Sequence, residues 1–478
     1  MSNVPLHPPT EHRVVGTLGA FAIVAGSMLG IGIFLTPFQV AQMLHTPGLF
    51  LLAWFLGGLI ALAGAVAYAE LGTMFPKAGG DYVFLRESFG KSVSFACGWV
   101  LFAGVFTGSI ATLAVAVCQY QLPTLLAPLG APDLTPAVMI GGLTLPLTGT
   151  QLAAIALVTV FTVINILGAR VSALVQVLVT VIPLALFALA SIVILVSGQH
   201  PDAIPSPRAA DITTGPWYVA MTQATLAIYF AYSGWNAIGY VGGEVANPSR
   251  NIPLALVGGT ALVTVLYVVM CAGFVTALGM GGIEQSFEVG TAIANAYGGT
   301  TATLVVTGLI AMALVGSLNG TILGGARIAM AMAHDGAIAR NLGSVSRRTG
   351  TPARALVMQT LLACILIVSG TFEQLYALTS IAMLLIGGLT VVSLFLLRAR
   401  RPDAERPYRA LLYPWLPGFY VATCVSVIGI KVFGVLTPEE GTRLALSDLL
   451  PLLGLGIFAA AWLGHRLLVA SRQSTSPI

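Results

Sequence analysis

Only 8% of the 478 residues are Asp, Glu, Lys or Arg, against roughly 25% in an ordinary soluble domain. A chain so poor in charge cannot cover itself in water. Cysteine is scarce too: Cys97, Cys118, Cys271, Cys364 and Cys424 all fall within or at the ends of apolar runs, with no paired spacing. They read as small packing residues rather than as disulfides or metal ligands. The six histidines sit singly at termini and loop edges, so no metal site and no cofactor is expected. No His-Cys-carboxylate set and no serine-lysine pair falls inside the apolar runs, which argues against an intramembrane enzyme. The first 14 residues are polar, and no small-residue cleavage site follows a short apolar core. That pattern argues against a removable signal peptide and keeps the first run in the mature protein.

What the chain has instead is 57% apolar residues, gathered into runs of about 20, the length that crosses roughly 30 Å of hydrocarbon. These runs recur at about 12 places, near 15–40, 46–74, 92–120, 149–168, 171–197, 217–245, 253–279, 299–332, 355–370, 375–397, 411–435 and 446–470. The fold class is therefore an all-α polytopic protein of the lipid bilayer. With the N-terminus inside, 18 of the 21 lysines and arginines fall in the inner segments, leaving Arg208, Lys431 and Arg443 outside. By the positive-inside rule both termini are cytoplasmic. The net charge of +4 follows from this topology and calls for no nucleic acid partner.

Two of the runs are interrupted. Gly26-Ser27-Met28-Leu29-Gly30-Ile31-Gly32-Ile33-Phe34 puts three glycines into seven residues of the first, and Tyr232-Ser233-Gly234-Trp235-Asn236-Ala237-Ile238-Gly239 breaks the sixth. An interior glycine costs a helix about 1 kcal/mol relative to alanine, and unwound backbone is tolerated in lipid only where it lines a cavity. Gly26 and Gly30 alone could be a close-packing face; Gly32 and the second break do not fit that account. Two breaks at corresponding places point to a transporter site at the bilayer midplane. The half-helix starting after Gly32 would offer its amides to a carboxylate. Carbonyls freed around Met28, Phe230 and Ser233 would accept from an ammonium. Those two charges, a few ångströms apart, define an α-amino acid.

Further motifs flank the breaks: Phe75-Pro76-Lys77-Ala78-Gly79-Gly80-Asp81-Tyr82 after the second run, Gly242-Gly243-Glu244-Val245-Ala246-Asn247-Pro248 after the sixth, Asn319-Gly320 with Arg327 and Asp335 in the eighth, and Arg406-Pro407-Tyr408-Arg409 with Tyr413-Pro414 before the eleventh. Together they resemble the amino acid-polyamine-organocation superfamily, over residues 14 to 435. The run Phe230-Ala231-Tyr232-Ser233-Gly234-Trp235-Asn236 is similar to its L-type amino acid transporter branch. The resemblance implies two inverted five-helix repeats, 15–197 and 217–397, with helices 1 and 6 broken. Two peripheral helices follow in 398–470, after a cytoplasmic loop, and the tails 1–14 and 471–478 are cytoplasmic. It also implies alternating access to one site, gated by Phe230 and faced by Asn236.

Three positions depart from the branch. Ile31 stands where a small or hydroxyl residue is usual, Pro183 where many relatives carry a lysine, and His334 where arginine is commoner; no lysine occurs between Lys91 and Lys431. Glu70 and Glu244 lie toward the cytoplasmic ends of their spans, where pairing with Arg86, Arg250 or Arg327 to hold an inward gate competes with a role in proton coupling. With no carboxylate evident at the midplane, a neutral substrate is expected. The expected protein is thus a neutral amino acid transporter of the plasma membrane, the inner membrane of a bacterium, working by exchange or with protons. Its substrate cradle comprises Met28, Gly30, Ile31, Gly32, Phe230, Ser233, Gly234 and Asn236. A cationic amino acid or polyamine transporter of the same fold is the alternative, and a receptor or channel a more distant one. Animal relatives pair with a glycoprotein through an extracellular cysteine; the loop between spans 3 and 4 has none, so no such partner is expected.

Overall fold

The apolar runs are helices in the computed structural model, which describes residues 13–30, 32–130, 134, 137–140, 143–197, 217–346, 348–369, 372–436, 456 and 458–463. Ile31, nearly all of the twelfth run and both tails lie outside the described residues. Among those described, eight helical stretches are long and apolar enough to cross a bilayer, and two shorter ones, Ala353–Ser369 and Trp415–Ile430, are apolar as well. The sixth run is missing from the eight because its break divides it into Trp217–Ala231 and Ala237–Tyr240. One antiparallel ribbon, Ala137–Ile140 with Leu143–Thr148, stands in the connection between spans 3 and 4.

Local chemistry sets the helix ends. Span 2, Pro47–Met74, starts with proline in its first turn behind an extended Thr46, where a missing N–H costs nothing. Span 4, Gly149–Leu167, opens on a reciprocal cap in which Gln151 N–H donates to Thr148 Oγ1 at 3.2 Å and Thr148 N–H to Gln151 Oε1 at 2.9 Å. Span 3, beginning at Lys91, widens into a π-helical segment over Val100–Phe106, and the Thr107 hydroxyl donates to the Phe102 carbonyl at 2.6 Å. Such segments are frequent at functional sites, and this one turns Leu101, Val105 and Phe106 toward the central cavity.

Spans 1 to 4 each pack against the span five places later: Gly32–Leu44 against Trp217–Ala231, span 2 against Pro248–Gln285, span 3 against Val289–His334, and span 4 against Ala353–Ser369. An offset of five is what two interlocked five-helix repeats produce. Apolar side chains on the outer faces of spans 4 and 5, including Val160, Leu167, Leu174 and Leu189, are exposed, forming the surface that lipid covers. Span 11, Trp415–Leu436, was expected at the periphery, yet Tyr420 reaches the cavity from it.

The end of the bundle rich in arginine is stitched shut. Val15 N–H donates to the Glu244 carbonyl and Ala246 N–H to that of Val15, both at 2.9 Å, while Gly79 N–H donates to the Tyr240 carbonyl at 3.0 Å. Glu70, fully buried, takes Arg398 at 2.5 and 3.0 Å, Arg406 at 3.2 Å and the Ala410 amide at 2.7 Å. These partners replace the Arg86, Arg250 or Arg327 expected for it. Arg327 pairs with Glu244 at 2.7 Å, Arg86 with Asp335 at 3.2 Å, and Arg250 is exposed, outside any ion pair among the described residues. His334, the third departure, bonds the Gly343 carbonyl at 3.0 Å.

Candidate functional site

In span 1 the helix Thr17–Met28 stops, Leu29 turns with ψ at 64°, and a new helix runs Gly32–Leu44. Its first amides have no carbonyl one turn earlier to bond. A Cβ on Gly32 would overlap Ala231 Cα, so only glycine lets the two broken spans approach this closely. In span 6 the chain turns over Tyr232–Asn236, with Gly234 at φ +93°. A Cβ there would also strike the Ser27 carbonyl. The two breaks are therefore in backbone contact with each other.

Between them lies a cavity of about 1020 Å³, including its part open to solvent. Of the expected cradle, Met28, Gly30, Gly32, Phe230, Ser233, Gly234 and Asn236 line it; Ile31 lies outside the described residues. The carbonyls are less free than expected. That of Met28 accepts from the Tyr267 hydroxyl at 2.5 Å and the Gly30 amide at 2.7 Å, and that of Phe230 from the Ser233 amide at 2.9 Å. Two hydroxyls stand ready instead: Ser27 Oγ at the first break and Ser109 Oγ of span 3 line the cavity, shielded from solvent and without hydrogen-bond partners among the described residues. Ser317 of span 8 lies beside the first, donating to the Ser27 carbonyl at 3.2 Å.

Span 5 contributes no charge here. Gln176 and Thr180, one turn apart, face Gly26, and Pro183 is buried within the same helix. Gln176 continues into a neutral network, accepting from Asn319 Nδ2 at 2.9 Å, while Asn165 Nδ2 donates to Asn319 Oδ1 at 2.8 Å. Spans 4, 5 and 8 are so joined behind the first break.

Asp81 is the surprise. Sequence spacing puts it in the connection between spans 2 and 3, but Gly79 and Gly80, at φ +117° and +50°, turn the chain inward. Asp81 is 1% exposed and lines the cavity. The Tyr68 hydroxyl donates to its Oδ1, and the Tyr240 hydroxyl and Asn236 Nδ2, the latter at 3.3 Å, donate to its Oδ2. The expectation of no carboxylate near the site is corrected accordingly. Tyr229 and Tyr420, whose hydroxyls are 2.7 Å apart, complete the wall with Trp235. Ser27, Ser317, Asp81 and Tyr420 were all missed in the sequence, and of these only Ser27 falls within a break.

A bundle with two interrupted spans meeting backbone to backbone at one cavity matches the family comparison. The model of the amino acid permease family matches residues 15–459. The chain belongs to the amino acid permease family. The permease is 29% identical over 456 residues to the serine/threonine exchanger SteT of Bacillus subtilis (strain 168), covering 93% of this chain and 96% of that one. It is 29% identical over 432 residues to the b(0,+)-type amino acid transporter 1 of Mus musculus, covering 89% and 82%. The Large neutral amino acids transporter small subunit 2 of Oryctolagus cuniculus is 29% identical over 410 residues, covering 84% and 73%.

Proposed function

We propose that the permease is a secondary transporter of neutral α-amino acids, working by alternating access through the cavity between its two broken spans. The observation that carries this reading is the pairing of the Gly32 helix start with the unpartnered Ser27 hydroxyl. Amides at a helix start and a free hydroxyl suit a carboxylate, and the turn at Tyr232–Asn236 lies opposite for the ammonium. The substrate's side chain points toward Phe230, Trp235 and Phe106, an apolar and aromatic lining with Phe230 as gate. Asp81 does not favour a cationic side chain, because three donors already occupy its oxygens. Two relatives' names agree: one exchanges serine and threonine, another carries large neutral amino acids.

In this reading the arginine-rich end faces the cytoplasm and the ion pairs of Glu70, Glu244 and Asp335 close the inward path. The protein resides in the plasma membrane, a bacterial inner membrane, with both termini inside. The deciding experiment is uptake of radiolabelled L-serine, L-threonine, L-leucine and L-phenylalanine into proteoliposomes, empty or preloaded with the same amino acids unlabelled. Saturable uptake accelerated by internal substrate is expected. Uptake of L-arginine or putrescine in its place would establish the cationic alternative, and non-saturating flux would establish a channel.

A further inference from the structure

Burial of a carboxylate without a cation is costly unless it is hydrogen-bonded or takes up a proton. Glu70 and Glu244, the carboxylates first considered for proton coupling, are each paired with arginine. Asp81 is different. Its partners are two phenols and an amide from spans 2 and 6, and it enters no ion pair among the described residues. The titratable groups facing it are Tyr68 from span 2, Cys97 from span 3, and Tyr229 and Tyr240 from span 6. All four are neutral at physiological pH. Thr390 of span 10 adds a neutral hydroxyl.

We propose that Asp81 is the proton-binding site of the permease, loaded from the cavity together with the amino acid and unloaded at the arginine-rich end, so that transport is proton symport. The inference rests on reading the cavity as the amino acid site. Burial raises the Asp81 carboxyl above its ordinary value, against the lowering effect of the Tyr240, Tyr68 and Thr390 hydroxyls. An ionised Asp81 accepts from Tyr68, Tyr240 and Asn236 at once and so ties the connection after span 2 to the residues just beyond the second break. When an O–H bond forms on Oδ2 with a proton from cavity water, that oxygen becomes a donor. One of its two present donors must then turn away. Asn236 is the one that can leave, since its Nδ2 also donates to the Tyr240 oxygen at 3.1 Å. Protonation thus loosens the hold of Asp81 on Asn236, a residue of the break itself. The proton later returns to water on the far side, leaving the carboxylate as it began.

The test uses the full chain in proteoliposomes enclosing a pH-sensitive dye, with the four radiolabelled neutral amino acids as probe. The expected result is acidification of the lumen in step with uptake into empty vesicles. Between external pH 7.5 and 5.5, uptake should rise about tenfold for the native chain, and the pH ratio for Asp81→Asn should stay below about twofold, with Asp81→Glu restoring the dependence. Should Asp81→Asn prove inactive, protons taken up on binding the same probe are counted by calorimetry on native detergent-solubilised protein in two buffers of different ionisation heat. One proton per amino acid supports the proposal, and none overturns it. Native uptake without acidification, or acidification that persists in Asp81→Asn, overturns the proton site and leaves the amino acid reading standing. Absence of both uptake and counterflow by the native chain overturns that reading itself.

Discussion

The two broken spans meet at one cavity yet are made of different material. The first break is nearly bare: Gly26, Gly30 and Gly32 carry no side chain, and Ser27 brings a hydroxyl without a partner among the described residues. The second carries bulk, with Tyr232, Trp235 and Asn236 packed against Trp54, Tyr68, Tyr267, Tyr420 and Asp81. A bare break can only present its backbone, so it suits the invariant part of an amino acid. A break loaded with side chains can be pushed and can push back, which suits the part of the machine that senses occupancy and moves.

The sharpest way to break this contrast is Gly30→Val. Its Cβ would lie 3.3 Å from Ser317 Oγ and its branches would fill the carboxylate position, so uptake should fall to background while the protein stays monodisperse on size-exclusion chromatography; native uptake would remove the first break from the site. A smaller effect is expected from Ser27→Ala, which should weaken substrate binding by about tenfold or more, hydrogen bonds to charged groups contributing about 1.5–3 kcal/mol. Equilibrium binding of the labelled mixture measures it, and an unchanged affinity would leave the hydroxyl without a role. On the other side, Phe230→Ala should raise KM about fivefold, in line with roughly 1 kcal/mol of lost aromatic contact, with the effect greatest for phenylalanine and least for serine. An equal effect on all four substrates would make Phe230 a packing residue. The least change is expected from Ile31→Ser, which restores a hydroxyl beside the bare amides and should tighten binding a few-fold, a neutral hydrogen bond contributing about 1 kcal/mol. Competition assays across the twenty amino acids would show it, and an unaltered profile would point Ile31 away from the substrate.

Both breaks were legible because a glycine or a polar residue in a long apolar run violates a local rule; for Glu244, its place at an arginine-rich span end left Arg86, Arg250 and Arg327 open, and Arg327 is the partner. Partners far apart in sequence were not legible. Glu70 and Arg398 are 328 positions apart, and nothing at either position marks the other among the many arginines at that end. Asp81 was hidden for another reason. Its inward path depends on two successive left-handed glycines, and Gly-Gly-Asp reads equally well as an exposed turn. The Met28 carbonyl was expected free, yet it accepts from the nearby Gly30 amide and from Tyr267 of span 7, a tertiary partner that no local pattern announces.

Tyr420 gives the last described span a share in the pocket, bonded to Tyr229 and stacked edge-on to Trp235. Chimeras that join the first ten spans of one permease to the last two of another are therefore not exchanges of scaffolding. Such a cut passes through the wall that meets the substrate, and hybrids made there should inherit taste from both parents.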